Sequence, residues 1–116
     1  MNAVLGTLEA GLSTVISPIH PPVIKTMEAK ADNGTLAMGL LVAKDANGDI
    51  VAYEPAGAAP LNACVGVLSQ EIDTAEDDAA PVIRHGTVIR ELLLVGAAAP
   101  DAAALAALDA LGIFAV

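Results

Sequence analysis

The residues able to bind or react fall into a few short stretches. Asp45-Ala46-Asn47-Gly48-Asp49 alternates carboxylates with an amide oxygen, the donor set of a hard cation such as calcium. The spacing does not suit that ion. An EF-hand loop takes glycine at its sixth position and a bidentate glutamate at its twelfth, whereas Gly48 is fourth and Ala56 twelfth. Asn47-Gly48 instead predicts a tight hairpin turn, because its central residues tolerate positive φ. His85 beside Arg84, with Glu91 further on, could supply a general base and its orienting carboxylate, but no Ser or Cys lies in a nucleophile-elbow pattern. A histidine at a turn is more often simply solvated. His20, between Ile19 and Pro21, reads as a contact residue, and two histidines without ligand spacing do not make a zinc site.

Glu71, Asp73, Glu76, Asp77 and Asp78 crowd one connection. Catalytic carboxylate pairs face each other across a cleft, so a solvated loop of like charge is the better reading. Cys64 is the only cysteine, which excludes an intramolecular disulfide and a cysteine metal cluster and suits a reducing compartment. No G-x-G-x-x-G or G-K-[ST] string is present to cradle a phosphate. No catalytic residue, metal or cofactor is assigned, and the functional signal left is surface and shape.

The elements that would carry such a surface are mostly strands. Residues 80–95, A-P-V-I-R-H-G-T-V-I-R-E-L-L-L-V, predict a central β-hairpin that reverses at His85-Gly86. Leu36 to Ala43 and Ile50 to Tyr53 predict a second hairpin around the Asn47-Gly48 turn. Residues 54–62, with Pro55, Gly57 and Pro60, read as a loop, and Ala63 to Leu68 as a strand whose Gly66 admits a close backbone or marks a bulge. Pro100 and Asp101 open a helix to Leu111, with Leu105, Leu108 and Leu111 on one face; Gly112 ends it before a terminal strand, I-F-A-V. The first thirteen residues suit either a short helix or a disordered lead. Thr14, Val15, Ile16, Ser17, Pro18, Ile19, His20, Val23 and Ile24 belong to an apolar, β-branched stretch broken by three prolines, which predicts an extended arm. The expected organisation is an arm over residues 1–35 and a β-rich domain over 36–116, mainly β (α+β) with one C-terminal helix.

Composition narrows the partners. Among 116 residues, 5 basic side chains oppose 14 acidic ones for a net charge of −9, which repels phosphate backbones and argues against nucleic acid. Aromatic residues are 2% of the chain, too few for a stacking platform. No signal-peptide pattern opens the sequence, and Pro100, Asp101 and Asp109 interrupt its most apolar stretch, so no membrane span is expected.

The order of these motifs resembles a known family. L-A-M-G-L-L-V-A-K-D-A-N-G-D-I-V-A-Y-E-P, then A-C-V-G-V-L, then A-P-V-I-R-H-G-T-V-I-R-E-L-L-L, then P-D-A-A and G-I-F-A-V, is similar to the lambda-type head decoration proteins of tailed bacteriophages. The resemblance covers about residues 36–116. It implies a non-enzymatic virion protein, a homotrimer at threefold positions on the outside of the expanded capsid. Its partners would be the major capsid protein and itself, with the arm ordering by strand addition. Two other readings stay open: a tail or fibre β-domain, and a small enzyme or ligand-binding domain using His85 and Glu91.

Overall fold

A computed structural model describes residues 22–116. Of the expected arm contacts, Thr14, Val15, Ile16, Ser17, Pro18, Ile19 and His20 lie outside the described residues, as does the reading of the first thirteen positions.

The chain forms β1 (Val23–Glu28), β2 (Thr35–Leu36), β3 (Leu41–Lys44), β4 (Ile50–Ala52), β5 (Gly66–Leu68), β6 (Ile72–Asp73) and β7 (Ala79–Val88). A 3-10 turn (Arg90–Leu92), helix α1 (Ala102–Leu111) and β8 (Ile113–Ala115) follow. The main sheet has the order β1-β7-β5-β3-β4, all antiparallel, and β8 adds to β7 in parallel. Its outer strands meet. Ala29, just past β1, bridges Ile50 of β4, and the Lys30 N–H donates to the Ile50 carbonyl at 3.1 Å, so the sheet curls round on itself. A two-stranded ribbon of β2 and β6 completes the β structure. Val23–Glu28, inside the stretch 1–35 expected as arm, is thus one outer strand of the sheet.

Because successive side chains on a strand point to opposite faces, each strand serves two clusters. On the enclosed face Met27, Ala29, Val42, Ile50, Leu68, Ala80 and Val82 pack with Leu36 and Ile72 of the ribbon. On the other face Leu41, Ala43, Val67, Ile83 and Val88 pack with Leu93, Ala104, Leu108 and Ile113. Burial on both faces explains why β5 reads G-V-L with every residue buried, instead of alternating with polar ones. Each such Leu or Ile contributes about 1.5–3 kcal/mol.

The mainly β class with one helix is as the sequence predicts, but the central hairpin is not. Residues 79–88 form one continuous strand without reversal at His85-Gly86. Gly86 does adopt positive φ, at 128°, yet it uses that freedom to pass β7 from one partner to another: residues up to His85 pair with β1, and residues from Gly86 with β8. The second hairpin is present over Leu41–Lys44 and Ile50–Ala52, while Leu36 leaves it to pair with Ile72 of β6. That pairing puts a short strand inside the acidic connection, with Ile72 and Thr74 buried and the five acids exposed.

Gly66 behaves as a close-approach glycine. A Cβ there would lie 2.5 Å from the Ile83 carbonyl oxygen and 2.6 Å from Val82 Cγ1. The helix is capped where its sequence says: Asp101 Oδ1 accepts from the Ala104 N–H at 2.9 Å, and Gly112 closes it in the left-handed region. The buried face is Ala104 and Leu108 with Leu105 packed beside them. Leu111, expected on that face, sits in the last turn before the Gly112 reversal and is exposed.

Candidate functional site

Val23 and Ile24 are the expected contact residues that fall within the described part. Their Cα partners on β7 are His85 and Ile83, with a register irregularity between the two. Both are apolar and solvated, at 57% and 43% exposure. Isolated exposed aliphatic residues are ordinary, so the neighbours decide their meaning.

The neighbours extend the feature. Beyond His85, Gly86, Thr87 and Val88 pair with Ile113, Phe114 and Ala115, and the Arg90 N–H donates to the Val116 carbonyl at 2.9 Å. Phe114 is 43% and Val116 63% exposed. The His85 ring joins the two halves: a Cβ at Gly112 would fall 2.5 Å from its Cδ2 and 2.7 Å from its Nε2, so the imidazole lies against a position that only glycine leaves open. Val23, Ile24, Phe114 and Val116 therefore line the same end of β7, over roughly 20 Å at about 3.3 Å per residue. Phe114 and Val116 were missed as site residues. The period-two alternation of I-F-A-V, with Ile113 buried and Phe114 exposed, was the signal for them.

Charge is distributed unevenly along the same strand. Lys25, Arg84 and Arg90 stand beside the apolar rim, and the Arg84 Nη1 reaches Met27 Sδ at 3.8 Å. The start of β7 follows Asp77 and Asp78, and the Asp78 carbonyl accepts from the Ala29 N–H at 2.8 Å. Asp32 joins that acidic end, its N–H donating to the Thr74 carbonyl at 3.2 Å. One end of the strand is apolar, with Lys25, Arg84 and Arg90 and the single acid Glu91 beside it; at the other, Asp32, Asp77 and Asp78 outnumber Lys30.

The other chemical candidates resolve into structure. Asp45 Oδ1 accepts from the Asn47 and Asp49 N–H groups at 2.9 and 3.0 Å, so that carboxylate organises the hairpin turn. Cys64 Sγ donates to the Gly66 carbonyl at 3.5 Å. Burial pushes its thiol up to about 11, against smaller opposing hydrogen bonds from the Gly66 and Val42 backbone, so it is protonated and unreactive at neutral pH. Glu91 sits exposed in the 3-10 turn. Three open clefts are lined by residues 74–78, by Thr26 to Glu28 with Asp78 and Ala79, and by Lys30, Asn33, Asp45, Val51, Ala52, Glu54 and Leu61; none of these three touches Arg84, His85 or Glu91. Among the described residues, no three His, Cys, Asp or Glu side chains gather as a metal ion would need, and no helix is long and apolar enough to cross a membrane.

No curated protein matches the chain. A family described as bacteriophage lambda head decoration protein D matches residues 23–113, from the first residue of β1 to the first of β8. That family is structural and belongs to the phage head, not to enzymes. With the match covering most of the chain and the mainly β fold beneath it, the protein belongs to the bacteriophage lambda head decoration protein D family.

Proposed function

We propose that the protein binds the outer surface of the expanded phage capsid as a homotrimer at threefold positions and stabilises the shell. Its partners are the major capsid protein, contacted by residues 14–24, and its own copies. The observation that carries this reading is the solvated apolar start of β1, where Val23 and Ile24 stand at the root of the arm on an outer strand of the sheet. An extended segment that enters an outer strand is suited to adding β-structure to a partner. Pro18, Pro21 and Pro22 remove backbone donors from it, so apolar side-chain contact supplies more of the attachment than a regular ladder.

Three arms on one trimer act together, and linkage multiplies a modest affinity per arm through effective concentration. The apolar rim with Lys25, Arg84 and Arg90 points toward the shell in this reading, and the acidic end of β7 points away. An outward acidic surface keeps virions apart and does not attract free nucleic acid.

The test removes residues 1–20 and keeps β1 whole. Light scattering on the truncated protein is expected to report a trimer, and cosedimentation with expanded capsids is expected to fall to background. Undiminished cosedimentation would overturn the arm assignment; a monomeric full-length protein would overturn the trimer.

A further inference from the structure

The chain holds two Asn-Gly pairs, Asn47-Gly48 in the hairpin turn and Asn33-Gly34 in the link between the Ala31-Asp32 turn and β2, and the structure treats them differently. At Asn47-Gly48 the Gly48 N–H donates to the Asp45 carbonyl at 3.0 Å, and Asp45 Oδ1 holds the Asn47 and Asp49 N–H groups. At Asn33-Gly34 both residues are exposed, a Cβ at Gly34 would meet nothing within 4 Å, and the Gly34 N–H has no hydrogen-bond partner among the described residues. What is held there is the flanks. The Asn33 N–H donates to Thr74 Oγ1 at 2.6 Å, and the Gly34 carbonyl accepts from the Thr74 hydroxyl at 2.6 Å and its N–H at 3.1 Å.

We propose that Asn33 is the chain's principal site of spontaneous deamidation, and that its product loosens the β2-β6 ribbon. Hydroxide removes the Gly34 amide proton, and the nitrogen attacks Asn33 Cγ. The new C–N bond forms as ammonia leaves, giving a succinimide. Water opens the ring at either carbonyl to yield Asp or isoAsp, and each event adds one negative charge at neutral pH. The attacking nitrogen of Gly34 has no bond to break among the described residues, whereas that of Gly48 must first give up its bond to Asp45. The isoAsp product inserts a carbon into the main chain between two anchors on one threonine. Thr74 is 4% exposed, so a displaced Gly34 carbonyl leaves its buried hydroxyl without an acceptor.

The experiment incubates the full-length protein at mildly alkaline pH and measures Asp and isoAsp at both positions by peptide mass spectrometry. A parallel arm is run in denaturant. In the native protein modification at Asn33 is expected to run about five-fold faster than at Asn47, the factor for breaking one ordinary hydrogen bond. In denaturant the two rates should converge. Growth of an acidic ion-exchange peak should be suppressed in Asn33→Gln and retained in Asn47→Gln, and the aged wild-type fraction should melt below the fresh one. Equal native rates, a faster Asn47, or an unchanged ratio in denaturant would overturn the proposal.

Discussion

At its start β7 runs between β1 and β5 and buries Ala80, Val82 and Ile83; at its end it pairs with β8 and leaves Phe114 and Val116 in solvent. Both ends are made of the same apolar and β-branched residue types. The difference lies in coverage. Around the first half the sheet closes on itself, so Ala80, Val82 and Ile83 all find neighbours, and the cluster beneath α1 continues from Ile83 to Val88 and Ile113. Around the second half the parallel addition of β8 buries Ile113 inward and turns Phe114 outward. The same residue types thus make a core where strands surround them and a solvated apolar rim where they do not.

Truncating the covered half is the most severe way to break that contrast. Ile83→Ala removes a side chain with no exposed surface from beneath α1 and is expected to cost about 2–5 kcal/mol in denaturant unfolding. Gly66→Ala is next. Its Cβ would press on the Ile83 carbonyl and Val82 Cγ1, and the overpacking is expected to cost about 1–3 kcal/mol, read as a lowered melting temperature.

The Cys64 thiol, held at about 11 against an ordinary value of 9.0, makes a prediction with a defined sign. Between these values the unfolded chain has lost the proton and the folded chain keeps it. The contribution is therefore intact below pH 9 and is lost as pH rises through the folded value, on the order of 2 kcal/mol. Cys64→Ala should flatten that alkaline limb in unfolding measured across pH. Asp101→Ala removes the helix cap and is expected to lower stability by about 1 kcal/mol, with helicity by circular dichroism falling alongside.

The smallest effect on folding sharpens the comparison most. Phe114→Ser should change stability by about 0.5 kcal/mol or less, as exposed positions do, yet weaken capsid cosedimentation if the rim faces the shell. A variant that bound as wild type would separate the rim from the arm as attachment sites.

Much of the fold was legible where the signal is local. The Asn47-Gly48 turn, the Asp101 cap and the Gly112 stop each follow from one or two residues whose conformational preferences do not depend on the rest of the chain. Gly66 announced a close approach, though not which backbone approached. The apolar run at Val23 and Ile24 reads as part of an extended segment, and the strand β1 they open joins the main sheet through pairings with β7 that the run itself does not announce. Phe114 and Val116 went unnoticed as a surface, because a short terminal strand reads the same whether its outward side chains meet protein or solvent.

The sequence by itself determined strand content, the hairpin turn, the helix and its limits, and a strongly acidic charge balance, because turn chemistry, capping and net charge are properties of neighbouring residues and their sum. Only the tertiary structure decided that residues 79–88 are one strand, that Gly86 exchanges β1 for β8, and that the sheet closes through Ala29 and Ile50. Those depend on pairings between residues far apart in the chain. A glycine with positive φ serves a turn or a change of partner equally well, and the strand that arrives beside it settles which.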